Sequence, residues 1–192
     1  MQKHRERGMT LIELLIGIAL LVIVIAIGVP GMQGTINGGR LSSATNELAS
    51  AIQLARAEAL KRNRSVVLCR SDSLTACASD DVWNGWLVFV DTNGDGTVGA
   101  GEEIIKTGTF TAPLTVRASN GISSRANLIT FLPNGMARGA DESALLTASL
   151  SVCTPSTQPP NNVRDVLIAF GGRITVRSRN TAGDCSAAPA DS

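Results

Sequence analysis

Apolar residues run almost unbroken from 11 to 29, then take up a helical rhythm, then break into short bursts separated by turn residues. The first run is 19 residues long and holds a single charge, Glu13. At 1.5 Å per residue a helix of that length covers roughly 28 Å, about the thickness of a bilayer's hydrocarbon core. Pro30, Gly31, Gly34, Gly38 and Gly39 follow, and they predict a flexible or partly melted zone inside a long first helix. From Arg40 the apolar positions Leu41, Ala44, Leu48, Ala51, Ile52, Ala55 and Ala59 recur at three- and four-residue steps. Arg40, Glu47, Arg56, Lys61 and Arg62 take the other faces. The alanine-rich stripe predicts a helix half-embedded in a sheet and ending near Asn63.

The remainder reads as strands. Apolar or alternating bursts lie at 66–68, 85–90, 103–105, 114–116, 128–131, 145–152, 166–170 and 174–176. Asn93-Gly94, Asp95-Gly96, Pro133-Asn134-Gly135 and Gly171-Gly172 separate them with turn chemistry. Residues 156–162, rich in proline, read as a loop, and 187–192 as a frayed tail. One long helix followed by many strands, with no βαβ alternation, predicts an α+β fold with antiparallel sheet packed on the helix.

Charge orients the first run. Lys3, Arg5 and Arg7 precede it against one acid, Glu6, and positive flanks stay on the cytoplasmic side. Glu13 is the anomaly, because a carboxylate in an apolar span costs about 2.5–3.5 kcal/mol and no cation in the span offsets it. Cutting the chain after Gly8 would give Met9 a new α-ammonium four positions before Glu13. That amine could neutralise Glu13 of its own chain or of a neighbour. A secretory signal peptide would instead be cut after its apolar run, where Ala26-Ile27-Gly28 is a poor site. A plain membrane anchor leaves Glu13 unexplained.

Gly8 followed by Met9-Thr10-Leu11-Ile12-Glu13-Leu14 resembles the class III signal of type IV pilins and type II secretion pseudopilins. The resemblance implies cleavage between Gly8 and Met9 by a prepilin peptidase that also methylates the Met9 amine, with the helix retained. Pro30 falls where pilins often carry a helix-bending proline. The order of the long helix, Gly85-Trp86-Leu87-Val88-Phe89-Val90-Asp91-Thr92-Asn93-Gly94-Asp95-Gly96, Glu102-Glu103-Ile104-Ile105 and Phe131-Leu132-Pro133-Asn134-Gly135 is similar to that of the GspH/FimT family of minor pilins and pseudopilins. Phe170-Gly171-Gly172-Arg173 also fits. This implies a pilin-like fold and a low-abundance subunit near a filament tip, assembled through Glu13 with other pilin subunits. It divides the chain into a leader (1–8), a membrane-spanning helix (9–29), a glycine-interrupted hinge with the amphipathic half of the helix (30–63), and an extracytoplasmic β-rich domain (64–192). The implied location is the bacterial inner membrane, single-pass with a cytoplasmic N-terminus, and then the filament.

Composition narrows the chemistry. The 192 residues carry 17 basic and 16 acidic side chains, net +1, and losing the leader brings this to −1. Such a chain is no bulk polyanion binder. The only histidine, His4, lies in the leader, and tyrosine is absent. Without histidine the mature chain lacks the commonest general base, and no nucleophile elbow, phosphate loop or zinc spacing occurs. An enzyme, and a small-molecule substrate or cofactor with it, is therefore not expected.

Three features remain as candidate sites. Asp91, Asn93, Asp95, Gly96 and Glu102 match the D-x-[DN]-x-[DN]-G-x5-E calcium pattern, although strands rather than helices flank them. The competing reading is a hairpin loop held by Asx turns. Arg173, Arg177 and Arg179 alternate along one predicted strand face, with Ile174 and Val176 expected to face the core. Guanidiniums so spaced could bridge successive phosphates, and FimT-like DNA receptors carry a Gly-Arg-x-Arg pattern that Gly172-Arg173-Ile174-Thr175 matches in part. The alternative is a charged edge strand that resists aggregation. Four cysteines outside a membrane suggest two disulfides. Of three pairings the preferred one joins Cys69 to Cys77 and Cys153 to Cys185. Trp83 and Trp86 read as core or loop plugs.

Overall fold

α1 is 52 residues long, Leu11–Arg62, and its first and last turns show why it starts and stops where it does. Thr10 caps the N-terminus, its Oγ1 accepting the Glu13 N–H at 3.3 Å. Asn63 closes the C-terminus in the left-handed region (φ 52°), its N–H donating to the Ala59 carbonyl. The computed structural model describes residues 9–138 and 144–191, and of residues 27–31 and 170 the backbone alone. The leader 1–8, with Gly8 and His4, lies outside the described residues, as does Ser192.

Where the sequence predicts a flexible or partly melted zone, the backbone is helical. Helix continues through Pro30 and all four following glycines. A glycine costs a helix only about 1 kcal/mol, and two of these glycines make room for tertiary contact. A Cβ on Gly34 would sit 3.4 Å from the Gln158 amide oxygen, and one on Gly38 would sit 3.8 Å from the Pro159 ring. Asn37 Nδ2 donates to the Gln158 carbonyl at 3.0 Å between them. The loop at 156–160 therefore grips the helix where the local sequence argues for slack.

Beyond that grip α1 buries Leu41, Ala44, Thr45, Leu48, Ala51, Ile52, Ala55 and Ala59. They pack on two four-stranded antiparallel sheets. The first has the order β3-β2-β1-β5, from β1 (Ser65–Arg70), β2 (Gly85–Asp91), β3 (Ile104–Thr109) and β5 (Leu128–Phe131). The second has the order β4-β6-β7-β8, from β4 (Thr115–Ala118), β6 (Ala148–Cys153), β7 (Val163–Ala169) and β8 (Arg173–Arg179). A short helix that the sequence pattern did not signal, α2 (Asn120–Ser123), packs against β4, β5 and β6.

β1 and β2 are buried on both faces, which is why they read as continuous apolar runs. Val66, Leu68, Trp86 and Val88 face α1. Val67, Cys69, Leu87 and Phe89 form a second, smaller core with Val98 and Leu128 under the loops that follow β1 and β2. Both tryptophans are core residues, Trp83 donating Nε1–H to Asn127 Oδ1 at 3.1 Å. At the far end of the helix Arg56 donates Nη1–H to the Gly172 carbonyl at 3.0 Å, fixing the β7–β8 turn.

The tail is not frayed over its described length. Ser149 Oγ donates to the Ala190 carbonyl at 2.6 Å and the Gly121 N–H to Asp191 Oδ1 at 2.9 Å. Cys153 is bonded to Cys185, and Cys69 to Cys77.

Candidate functional site

At the N-terminus of α1, Thr10 and Glu13 form a Thr-x-x-Glu capping pair, a signal readable in the sequence and missed there in favour of Glu13's charge. Met9 is exposed just before it, and Glu13 makes no ion pair among the described residues. Every large apolar side chain from Leu11 to Ile25 is at least half exposed. Nothing else in the described chain covers this arm. Among the described residues no helix is long and apolar enough to cross a membrane. The run's side chains are described only to Ala26, short of the roughly 20 residues a bilayer requires.

The loop after β2 brings Asp91, Asp95 and Glu102 together, with one carboxylate oxygen of each within 4.8 Å of the others. Their oxygens already accept bonds. Asp91 Oδ1 and Oδ2 take the N–H groups of Gly94 and Gly96 at 2.7 and 3.0 Å. Both glycines sit at positive φ, which lets the backbone curl over that carboxylate. Asp95 Oδ1 accepts from the Thr97 N–H and hydroxyl. Glu102 accepts from the Thr92 and Gly99 N–H groups at 2.7 and 2.9 Å. Asn93 is spent on Asp95, donating Nδ2–H to its carboxylate and accepting its N–H. The Thr97 backbone N–H above all holds the Asp95 carboxyl below its usual range, and the Gly99 N–H does the same for Glu102. These three acids are the group that could ligate a hard cation through oxygen.

The three arginines do not act alike. Arg179 is held by Asp165, Nε to Oδ2 at 2.9 Å and Nη2 to Oδ1 at 3.1 Å, and Ser151 Oγ also donates to that carboxylate. The Asp165 hydrogen bond pushes the Arg179 pKa up. Arg173 and Arg177 are exposed and make no ion pair among the described residues. Ile174 packs against the core, but Val176 does not: it stays 47% exposed. It lies opposite Val166 on the sheet face turned toward α1. α1 packs on β6 and β7 and leaves β8 overhanging.

Arg70 is a buried cation that the sequence reading passed over. Its guanidinium meets Asp72 at 2.9 Å and Asp80 at 3.1 Å, and so pins the loop that the Cys69–Cys77 bond encloses. Its place in an apolar strand was the available signal.

The family model of type II transport protein GspH matches residues 44–172, most of the helix-and-sheet body just described. The chain belongs to the GspH family. The model of the prokaryotic N-terminal methylation motif matches residues 3–29. Among solved structures the GspH-family chain is similar to the type IV minor pilin FimU of Pseudomonas aeruginosa (strain PAO1) in two crystal forms. One is 22% identical with a TM-score of 0.52, over 72% of this chain and 89% of that one. The other is 21% identical with a TM-score of 0.48, over 71% and 91%. At such identity the first likeness speaks for the α+β pilin-like fold. Comparison with curated proteins gave no match. GspH-type chains are minor pilins and pseudopilins, structural subunits rather than enzymes. The family implies assembly with other pilin subunits, and the motif implies processing by prepilin peptidase and anchoring in a membrane.

Proposed function

We propose that this GspH-family chain is a minor subunit of a type IV pilus or type II secretion pseudopilus, acting in filament assembly or initiation. The peptidase cuts between Gly8 and Met9 and methylates the Met9 amine. Residues 9–29 then hold the chain in the inner membrane, with the sheets on the periplasmic side, until it enters the filament near its tip. The observation that carries this reading is the uncovered arm: apolar side chains exposed from Leu11 to Ile25 must be covered by lipid or by neighbouring helices. Glu13, with no ion pair among the described residues, supplies the register, since its carboxylate in that apolar setting calls for a cation and the Met9 amine of a neighbour is the one processing creates.

Mass spectrometry of membrane-extracted protein should give an N-terminus at methylated Met9. Glu13→Ala should still be cleaved but should enter filaments poorly. Retention of residues 1–8 in chains that assemble normally would overturn the reading.

A second reading, DNA binding during uptake, draws support from the exposed Arg173 and Arg177 on one strand face. Arg179, engaged by Asp165, adds less to it. Contacts of this kind would be to phosphates and strongly salt-dependent. Band shifts with duplex DNA, comparing wild type with Arg173, Arg177 and Arg179 replaced by alanine, test it; equal retention ends it.

A further inference from the structure

The two sheets expose their edges unequally. Alongside β4, Val82 bridges to Arg117. The edge of β5 is taken up by the following hairpin, where Ala137 bridges Phe131 and the Arg138 N–H donates to the Thr130 carbonyl at 3.2 Å. β3 meets β2 across a register shift at Val88/Phe89, and such irregularities bend an edge out of line for further pairing. β8 has none of these among the described residues. It pairs with β7 in unbroken register from Arg173↔Ala169 to Arg179↔Val163 and is the last strand of its sheet.

We propose that β8 is a strand-addition site, which takes an extended segment of a partner protein whose residues alternate between apolar and acidic. A straight edge offers a row of free N–H and C=O groups to another chain, and side chains on the two faces then set its preference. On the face toward α1, Val176 is exposed, and the partly buried Ile174 two residues before it lines an open groove of about 330 Å³ with Gln53, Ala57 and Leu60, rimmed by Arg56 and Arg173. Apolar side chains of the added strand extend that surface. On the other face Arg173 and Arg177 stand free of ion pairs among the described residues, and β8 carries three arginines and no acid.

That charge disfavours a second copy of β8 in the fully overlapping registers. Antiparallel pairing centred on Val176 sets Arg173 against Arg179, and parallel in-register pairing stacks each arginine on its twin. Like charges directly opposite one another destabilise a sheet. Acidic residues at those positions do the reverse.

The test uses the full processed chain in detergent micelles, followed by residue-resolved amide hydrogen exchange. One probe is a heptapeptide alternating glutamate with valine, another is its lysine–valine counterpart, and a third is a short DNA duplex. The glutamate peptide should slow the outward amides of β8 at least tenfold, with the lysine peptide without effect. The double variant Arg173→Glu, Arg177→Glu should reverse the preference. Val176→Lys should abolish slowing by either peptide while exchange in β6 and β7 stays at the wild-type level; should that variant unfold, the charge reversal decides alone. No slowing at millimolar glutamate peptide, or slowing that ignores the charge reversal, overturns the proposal. So does slowing by the duplex alone, which would assign the strand to phosphate. The readout is on the isolated chain, so its outcome is separate from whether Met9 is processed or filaments form.

Discussion

Replacing both Cys153 and Cys185 by alanine should be the costlier of the two disulfide deletions. The bond closes a separation of 32 residues, against 8 for Cys69–Cys77. In the chain-entropy description the longer loop restrains the unfolded chain by about 3.7 kcal/mol and the shorter by about 2.5 kcal/mol. The two loops do not overlap in sequence, so the deletions should be close to additive. A domain of this size loses roughly 2–4 °C of Tm per kcal/mol, which puts the Cys153/Cys185 deletion at roughly 7–15 °C. Calorimetry of the processed chain in detergent, at fixed protein and detergent concentration, reads this directly. The deletion should also free the tail, so that exchange at Gly121 quickens as its bond to Asp191 is lost. If deleting Cys69–Cys77 cost more, or deleting Cys153–Cys185 cost under about 1 kcal/mol, loop closure would not be what the longer bond contributes.

Further expectations follow from single sites. Gly108→Ala should destabilise by about 1–3 kcal/mol in chemical denaturation, because the new methyl would overlap the buried Trp86 ring. Calcium titration by calorimetry should show no site tighter than about 0.1 mM, since Asp91, Asp95 and Glu102 are already occupied by internal donors; micromolar binding would refute that. Acid should loosen the same loop. Asp95 and Glu102 have carboxyl pKa values lowered by folding, so their contribution is present above the usual carboxylate range and is lost as pH falls from about 4 through the depressed values. Amide exchange at Thr97 and Gly99, corrected for intrinsic rates, should quicken on that side and not between pH 6 and 8.

Much of this fold could be read from local pattern, because burial has a period. The helix from Leu41 to Ala59 and bursts such as 85–90 and 128–131 declared their type through which residues had to be hidden. Pairing could not be read in the same way. Eight strands with turns between them are compatible with one sheet or two, and the choice rests on long-range matches such as β1 with β5. The local breaker signal misled from Gly34 to Gly38 for a related reason: contact with Gln158 and Pro159, more than a hundred residues away, supports helix there. At β8, alternation assigned Val176 the correct face, but only tertiary placement of α1 showed that about half of it stays exposed. The acidic loop was legible as a cluster, and its internal donors were not, because backbone N–H directions leave no trace in residue type.

The grip of residues 156–160 on α1 has a mechanical side. From Gly34 to Arg62 the helix is fastened to the sheets, so the unfastened length is the stretch from Leu11 to Gln33, roughly 34 Å of shaft. That shaft includes Pro30, which has no N–H to donate, and a pull on the arm reaches the sheets first through the contact of Asn37 with Gln158.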